Sequence, residues 1–338
     1  MVLALKNKNI NLSRLSFGTS GIMGSALTDR GRVKLLDAAY DNGITHFDTA
    51  PLYGQGDAEK VLGSFYKTKQ DGVTIATKYG LMPKKRSAMS VLTKPMARFV
   101  NRKYINIKRR NALKNTIIEA DVIAPKFTRD QIVKTKNNNK RLLLSKIDLN
   151  KQLETSLYNL KTETIDVYFL HDVSIHQLCD EFVVALLSAK DSGKVREIGL
   201  ATSRANAYEI KRVYPEISSV IQVPSTRFEI ENDLYNDHEG IFISHSSFNS
   251  TMNWLLPWVT RNYEALLEKS LALGVHIPPT PFELYHLLLL QRALQKNTTG
   301  SILFSSSKVK NIEVNTKALS EDFRLLDLVL DHLQNDAH

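Results

Sequence analysis

The sequence predicts an α/β fold: a single domain, residues 1–338, forming a (β/α)8 TIM barrel with a large basic insertion after its third strand. Short runs rich in β-branched residues alternate with amphipathic helical stretches, which is typical of a parallel sheet with helical crossovers. Eight such runs favour a closed barrel over an open sheet. A Rossmann fold is disfavoured because no G-x-G-x-x-G follows a strand, and the glycines at 18, 21 and 24 have the wrong spacing.

The first three strands and the helices between them carry clear local signals. Strands are predicted at residues 15–18, 44–47 and 72–78, and helices at residues 28–42 and 57–66. The first helix begins at Thr28, whose hydroxyl suits an N-cap, and ends at Gly43. The third strand is rich in β-branched residues, which pack well on a pleated surface.

The regular alternation stops over residues 82–145, which are basic, polar and irregular. Residues 82–141 contain 17 Lys and Arg against 3 Asp and Glu, whereas the remainder contains 28 and 32. The net charge of +10 therefore belongs to this insertion and does not indicate a nucleic-acid-binding protein. The insertion is expected to be either a solvated loop or an element that contacts an anionic substrate, surface or partner.

The alternation of strands and helices resumes after the insertion. Strands are predicted at residues 165–170, 197–201, 220–223, 241–244 and 302–304. Helices are predicted at residues 148–160, 180–192, 206–214, 258–273 and 282–294, and two further helical stretches close the chain, the last at residues 321–333. With the first three strands, these complete a barrel of eight.

Cysteine content and hydropathy indicate a protein without disulfides or membrane spans. Cys179 is the only cysteine, so neither an intrachain disulfide nor a cysteine-rich metal site is expected. The first residues lack the long apolar centre of a secretory signal, and the apolar run at residues 287–290 is too short to span a bilayer. A cytoplasmic location is therefore expected, and no spacing of histidines or carboxylates predicts a metal site.

Four polar residues fall at or just after the C-terminal ends of consecutive predicted strands. Asp48 stands at the end of the second strand and Tyr53 in the loop that follows, in HFDTAPLYG; Lys78 stands at the end of the third in IATKYG, and His171 at the end of the fourth in VYFLHD. Reacting side chains of such barrels lie at that end, so these four are predicted to converge over one mouth. Singly, each has a structural explanation such as capping or packing, but together they indicate catalysis.

This set of residues suits carbonyl reduction, which needs a hydride at carbon and a proton at oxygen. A phenol normally holds its proton too tightly to exchange it near neutral pH. The Lys78 ammonium is expected to stabilise the Tyr53 phenolate and so make it a better acid and base. Asp48 would fix Lys78 in position, and His171 would orient the carbonyl oxygen by a hydrogen bond. For His245, near the seventh strand, the sequence is equally consistent with a position facing the mouth and with a packing role.

These motifs also carry a family resemblance. HFDTAPLYG, IATKYG, IDVYFLHD, GKVREIGLATS and IQVP occur in this order, and the pattern resembles the aldo-keto reductases from residue 15 to about residue 315. The resemblance implies an Asp-Tyr-Lys-His tetrad, which lands on Asp48, Tyr53, Lys78 and His171. It also implies a nicotinamide cofactor bound in extended form at the barrel mouth.

The same resemblance assigns a set of residues to the cofactor. By position they are Thr202, Ser203, Gln222, Ser246, Ser306, Lys308, Lys310 and Asn315. Two positions depart from the family pattern: Ser225 stands where a tyrosine usually stacks under the nicotinamide ring, and Asn311 stands where an arginine usually binds the 2′-phosphate. The resemblance implies NADP(H), and NAD(H) is left open because of Asn311.

The sequence supports three hypotheses about function. The first is an NAD(P)(H)-dependent oxidoreductase that reduces an aldehyde or ketone, or oxidises a sugar or alcohol, by hydride transfer with Tyr53 as general acid/base. Its substrate would be a small carbonyl compound or a sugar, and anionic compounds of these classes are included. The second is a regulatory or partner-binding barrel with weak cofactor binding, suggested by Ser225 and Asn311. The third is a sugar-nucleotide epimerase or dehydratase that uses the cofactor transiently.

Overall fold

Eight parallel strands form a closed barrel in the computed structural model of this chain. The structure describes residues 5–7, 10–23, 25, 27–69, 72–81, 144–225, 240–248, 252–320 and 323–336. The strands are β1 Leu5–Asn7, β2 Ile10–Leu12, β3 Leu15–Gly18, β4 His46–Asp48, β5 Thr74–Tyr79, β6 Ile165–His171, β7 Val195–Ala201, β8 Val220–Pro224, β9 Ile241–His245 and β10 Ser301–Phe304. Strands β3 to β10 follow one another round the barrel, and β10 pairs with β3 to close it. The predicted (β/α)8 barrel is confirmed.

Helices come between the strands and cover the outside of the barrel. They are α1 Ser20–Met23, α2 Asp29–Asp41, α3 Asp57–Tyr66, α4 Lys146–Leu160, α5 Asp180–Asp191, α6 Arg204–Val213, α7 Met252–Ala272, α8 Pro281–Lys296, α9 Val309–Lys317 and α10 Arg324–Asp336. Thr28, Ser145, Ser203 and Thr280 cap α2, α4, α6 and α8, each accepting a hydrogen bond from a first-turn N–H. In the described part of the chain, no helix combines the length and apolarity needed to cross a membrane.

Side chains of the strands alternate between the barrel interior and the layer of helices. Val167, Val220 and Ile243 belong to the interior cluster, together with Ile10 and Leu12 of the antiparallel β1–β2 hairpin. Because β3 begins three residues after Leu12, the hairpin lies at the N-terminal end of the barrel. The hairpin packs against the inner face there, which leaves the C-terminal end for the polar residues that end the strands.

Several element boundaries differ from the sequence predictions for physical reasons. Helix α7 begins at Met252, six residues before the predicted start, because Pro257 is accommodated inside the helix instead of beginning a new element. Strand β4 extends to Asp48, which pairs with Ala76 of β5. The hairpin and α1 were not predicted, since three or four residues are too few to show a period. Ser145 caps α4, and residues 82–143 of the predicted insertion lie outside the described residues.

Helices α3 and α4 approach each other closely at Gly63. A Cβ atom there would lie 2.4 Å from the backbone oxygen of Asn159 and 2.8 Å from Leu160 Cα. Alanine normally stabilises a helix interior relative to glycine by about 1 kcal/mol, but overpacking against rigid atoms costs about 1–3 kcal/mol. We expect Gly63→Ala to lower the free energy of unfolding by about 1–3 kcal/mol, measured by urea denaturation followed by circular dichroism.

Gly31 in α2 provides the matched control for this substitution. A Cβ atom at Gly31 would meet nothing closer than 3.4 Å, an ordinary contact with the Thr28 hydroxyl oxygen. We therefore expect Gly31→Ala to leave stability unchanged or to raise it by up to about 1 kcal/mol. Equal stabilities of the two variants would contradict the close packing of α3 against α4.

Candidate active site

The polar residues predicted at strand ends lie at one edge of the barrel. Asp48 is the last residue of β4, Lys78 is the penultimate residue of β5, and His171 is the last residue of β6. Tyr53 begins a short 3-10 turn, Tyr53–Gly56, directly before α3. Since these strands are parallel neighbours, their C-terminal ends meet. The structure thus brings all four side chains to one mouth.

The centre of this group is a buried ion pair between Asp48 and Lys78. Lys78 Nζ lies 2.5 Å from both carboxylate oxygens of Asp48 and donates a further hydrogen bond to the Thr49 carbonyl oxygen at 2.9 Å. Both side chains are only 2% exposed, so water does not screen their attraction. A buried charge is tolerated when it is paired and hydrogen-bonded, and this ammonium is held by three acceptor oxygens.

The same ammonium contacts Tyr53. Lys78 Nζ lies 5.3 Å from the centre of the Tyr53 ring, so the ammonium and the phenol are direct neighbours. Burial alone lowers the pKa of Lys78, but attraction to Asp48 and to Tyr53 outweighs burial, so the pKa is raised. Lys78 is therefore a permanent positive charge beside the phenol.

The net effect on Tyr53 differs from the sequence expectation. Burial raises the pKa of the Tyr53 hydroxyl above its usual value of 10.0, the charge of Lys78 lowers it, and the carboxylate of Asp48 raises it again. The pKa is raised overall because desolvation of a phenolate outweighs its attraction to the ammonium. Lys78 acts in the expected direction, but Tyr53 keeps its proton at neutral pH and is a hydrogen-bond donor.

His171 stands beside Tyr53 as a neutral imidazole. The two rings meet edge to face, with centroids 6.2 Å apart and an interplanar angle of 82°. Burial, then the charge of Lys78 and the neighbourhood of His245, lower the pKa of His171 to about 3. Its Nδ1 is buried and has no partner among the described residues. A neutral imidazole at this place can donate one hydrogen bond to a ligand oxygen.

A second histidine, His245, reaches the mouth from the far side of the barrel. It ends β9 and continues the inner-face series of Ile241 and Ile243. Its Nδ1 lies 2.9 Å from the Ser246 hydroxyl oxygen. Burial, followed by the charge of Lys78, lowers the pKa of His245 to about 4, so this ring is also neutral. The inner-face alternation along β9 is the sequence signal that places it.

Gln222 on β8 contacts the ion pair. Its Nε2 donates a hydrogen bond to Asp48 Oδ2 at 3.0 Å, and the side chain is buried. The sequence assigned Gln222 to a cofactor, whereas here its amide helps to hold the carboxylate that holds Lys78. The contact crosses the barrel interior from β8 to β4.

A known protein family shares the part of the chain that carries this geometry. The model of the Aldo/keto reductase family matches residues 14–231, well over half of the chain. This chain belongs to the aldo/keto reductase family. The match includes Asp48, Tyr53, Lys78 and His171 and ends before β9.

Individual relatives of this aldo/keto reductase are distant in sequence and close in fold. Aldo-keto reductase AMT2 of Alternaria alternata is 26% identical over 233 residues, 69% of this chain and 55% of that protein. The chain spans about half the length of the curated relatives it matches. The glycerol dehydrogenase of Gluconobacter oxydans has 20% identity and a TM-score of 0.65, with 98% of this chain and 95% of that chain covered. An aldo-keto reductase of Klebsiella pneumoniae in complex with NADPH has 18% identity and a TM-score of 0.64, with 98% of this chain and 95% of that chain covered.

The cofactor contacts predicted after β7 and β9 already have partners within this aldo/keto reductase. The Thr202 hydroxyl donates to the Val173 carbonyl oxygen at 3.2 Å, and Ser203 caps α6. Ser246 has a positive φ of 61°, and its hydroxyl lies against His245. The next residue, Ser247, has a buried hydroxyl without a partner among the described residues. The Ser247 hydroxyl, beside the mouth, is thus available to a ligand.

The other four predicted contacts follow β10. The Ser306 hydroxyl oxygen accepts a hydrogen bond from the Lys308 N–H at 3.1 Å, and Lys308 is the N-cap of α9. Lys310 is exposed and lies 3.9 Å from Glu283. Asn315 is half-buried on the same helix. Lysines at the N-terminus of a helix suit a bound phosphate, so this segment fits the anionic end of a dinucleotide.

Proposed function

We propose that this protein is an NAD(P)(H)-dependent oxidoreductase that reduces an aldehyde or ketone, or oxidises a sugar or alcohol, by hydride transfer with Tyr53 as general acid/base. The observation that carries the proposal is the buried Lys78 ammonium, which is paired with the Asp48 carboxylate and lies 5.3 Å from the centre of the Tyr53 ring. Membership of the aldo/keto reductase family supports it, as does the fold shared with a glycerol dehydrogenase.

The residues around the mouth fit a nicotinamide cofactor, which would supply or accept the hydride at the substrate carbon. The fit rests on the buried, unpartnered Ser247 hydroxyl and on the lysines at the start of α9, and a neighbour of the same fold binds NADPH. Thr202, Ser203 and Gln222 would hold the ring end of NADP(H) or NAD(H). The phosphates and adenosine would be held by Ser246, Ser306, Lys308, Lys310 and Asn315.

In the reductive direction, Tyr53 gives its proton to the substrate oxygen as the carbon is reduced. The phenolate left behind lies beside Lys78, whose charge stabilises it, and a proton from solvent restores the hydroxyl. Asp48 holds Lys78 in place. His171, neutral at physiological pH, donates a hydrogen bond from Nε2 to the same oxygen and favours the negative charge that develops there.

The test of this function measures binding and turnover separately. Titration with NADPH and NADH, followed by nicotinamide fluorescence, gives the affinity of the purified protein. The decrease in absorbance of NADPH with a panel of aldehydes and ketones gives turnover. Failure to bind either nucleotide at millimolar concentration, or binding without turnover of any carbonyl compound, would contradict the proposal.

A regulatory barrel with weak cofactor binding is the second candidate. The internal hydrogen bonds of Thr202, Ser203 and Gln222 favour it, because a cofactor must displace some of them. Ser225 and Asn311 also favour it, because they replace the tyrosine and the arginine that usually contact the cofactor in this family. The same titration separates the candidates, since a regulatory barrel would show weak binding and no turnover.

Lys308 is expected to favour NADPH over NADH. It is exposed at the N-terminus of α9 and free of the ion pair that Lys310 makes with Glu283. A charge-assisted contact with the 2′-phosphate, which NADH lacks, contributes about 1 kcal/mol at an exposed site. We expect Lys308→Ala to raise the Kd for NADPH about three- to tenfold without changing the Kd for NADH. Lys317→Ala, at the other end of α9, is the control, and equal losses for both nucleotides would contradict this role.

The role of the basic insertion stays a prediction. Residues 82–143 lie outside the described residues, and the described chain before them ends at residue 81, three residues after Lys78 at the mouth. Segments that follow the strands at this end of a barrel commonly set substrate specificity. Because residues 82–141 are strongly basic, an anionic substrate or partner is proposed for them. A cytoplasmic location likewise stays a prediction.

A further inference from the structure

A buried glutamine on β8 reaches the ion pair from the opposite wall of the barrel. Strands β4 and β8 lie four strands apart in either direction, yet Gln222 Nε2 donates a hydrogen bond to Asp48 Oδ2 at 3.0 Å. On the two neighbouring strands, Gln222 pairs in register with Ala201 and Ile243, which are apolar residues of the interior cluster. In the described part of the chain, Asp48 is the only side-chain partner of this amide.

An apolar side chain of the same length would fill this place without the cost of burying an amide. A buried amide needs a hydrogen bond to offset its desolvation, and the bond is stronger when the acceptor is charged. Asp48 is such an acceptor, because both of its oxygens contact the Lys78 ammonium and Oδ2 also accepts from Gln222. The amide and the ammonium therefore divide one carboxylate between them.

Tyr53 lies in the electric field of both members of the ion pair. The charge of Lys78 lowers the pKa of the phenol, whereas the charge of Asp48 raises it, so the two effects partly cancel. His171 and His245 add no charge at neutral pH, because their pKa values are about 3 and about 4. The net field that favours the phenolate thus depends on how far donors other than Lys78 compensate the Asp48 carboxylate.

The elements packed against the turn of Tyr53 add no further charge to this balance. Helix α1 carries no ionisable side chain. Helix α3 begins with three charged side chains, Asp57, Glu59 and Lys60. The shift in the pKa of Tyr53 arises instead from burial and from the charges of Lys78 and Asp48.

We propose that Gln222 is a positioning residue for Tyr53: its amide offsets part of the Asp48 charge across the barrel and so leaves more of the Lys78 charge to the phenol. The inference rests on the proposed function, in which Tyr53 is the general acid/base. The amide directs the positive end of its N–H dipole at the carboxylate. Without it, the Asp48 charge is less compensated, the phenolate is less stabilised, and the phenol is a weaker acid.

The first test measures the acidity of the phenol directly. Trifluorotyrosine in place of Tyr53 has a more acidic phenol, so that its titration can be followed by ¹⁹F NMR while the protein stays folded. Gln222→Met keeps the length of the side chain and removes its donors, and we expect it to lower the acid dissociation constant of this phenol about three- to tenfold. Gln222→Asn, whose amide is one carbon too short to reach Asp48, is expected to lower it likewise.

A double-mutant cycle tests whether Gln222 acts through Asp48. In an Asp48→Asn background the carboxylate charge is gone, so Gln222→Met is expected to change the dissociation constant less than about twofold. Gln291→Met, the same change at a buried glutamine of α8 in the outer layer, is the matched control. Equal effects of Gln222→Met in both backgrounds would overturn the inference, as would an unchanged dissociation constant when Asp48 is present.

Turnover and cofactor binding separate this inference from the function on which it rests. With NADPH and the best carbonyl substrate of the panel, we expect kcat of Gln222→Met to fall about three- to tenfold, because a weaker acid transfers its proton more slowly. If the wild type reduces no carbonyl compound, the proposed function fails, and the ¹⁹F titration still tests the inference. A higher Kd for NADPH together with an unchanged titration would assign Gln222 to the cofactor alone and overturn the inference.

Discussion

Tyr53→Phe is expected to lower kcat by about 10²- to 10⁴-fold, the range typical of losing a general acid. The substitution removes the only group that the proposed chemistry uses to deliver a proton to the substrate oxygen. The Asp48–Lys78 ion pair does not depend on the hydroxyl, since three oxygens hold Lys78 without it. The fold and the Kd for NADPH should therefore be nearly unchanged, as measured by circular dichroism and by fluorescence titration.

Tyr79→Phe provides the control, because it removes one hydroxyl from a neighbouring tyrosine. Tyr79 ends β5, packs against Phe182 and donates a long hydrogen bond of 3.4 Å to the Ser145 carbonyl oxygen. Burial raises the pKa of Tyr79 to about 12, and no ammonium lies beside its hydroxyl among the described residues to stabilise a phenolate. Its loss should leave kcat close to the wild-type value. If both variants lose the same activity, or if Tyr53→Phe retains it, Tyr53 is not the acid.

The strand-end residues show what the sequence can predict. Asp48, Lys78 and His171 were placed together because the C-terminal ends of adjacent parallel strands must meet, a rule that needs only the strands and their order. Local patterns were sufficient for this, since each strand is a short run of buried residues with a polar residue at its end. Tyr53 was found because it lies only five residues beyond the second strand.

Contacts across the barrel could not be predicted from the sequence. The bond from Gln222 to Asp48 joins residues 174 positions apart, and nothing in either local pattern indicates that the two side chains touch. The same holds for His245, because its place in the site depends on Lys78, which faces it from β5. The sign of the Tyr53 pKa shift was also missed, because desolvation depends on how deeply the hydroxyl is buried.

Lys78→Met is expected to abolish turnover and to lower the free energy of unfolding by about 3–5 kcal/mol. The substitution leaves the Asp48 carboxylate buried, with Gln222 as its remaining side-chain partner among the described residues. An unpaired buried charge is costly, whereas a surface pair contributes little. Lys194→Met, which breaks an exposed ion pair with Glu154, should cost less than about 1 kcal/mol in the same urea denaturation.

The double variant Asp48→Asn/Lys78→Met separates stability from chemistry. The neutral amide that replaces the Asp48 carboxylate no longer needs an ammonium and still presents a carbonyl oxygen to the Gln222 amide, so much of the lost stability should return. Activity should not return, because the Tyr53 phenolate would still lack its positive neighbour. If activity recovered together with stability, the ion pair would have only a structural role, and the case for Tyr53 as an ammonium-assisted acid would fail. Recovery of stability alone would mean that this barrel keeps a costly buried charge pair for its reactivity.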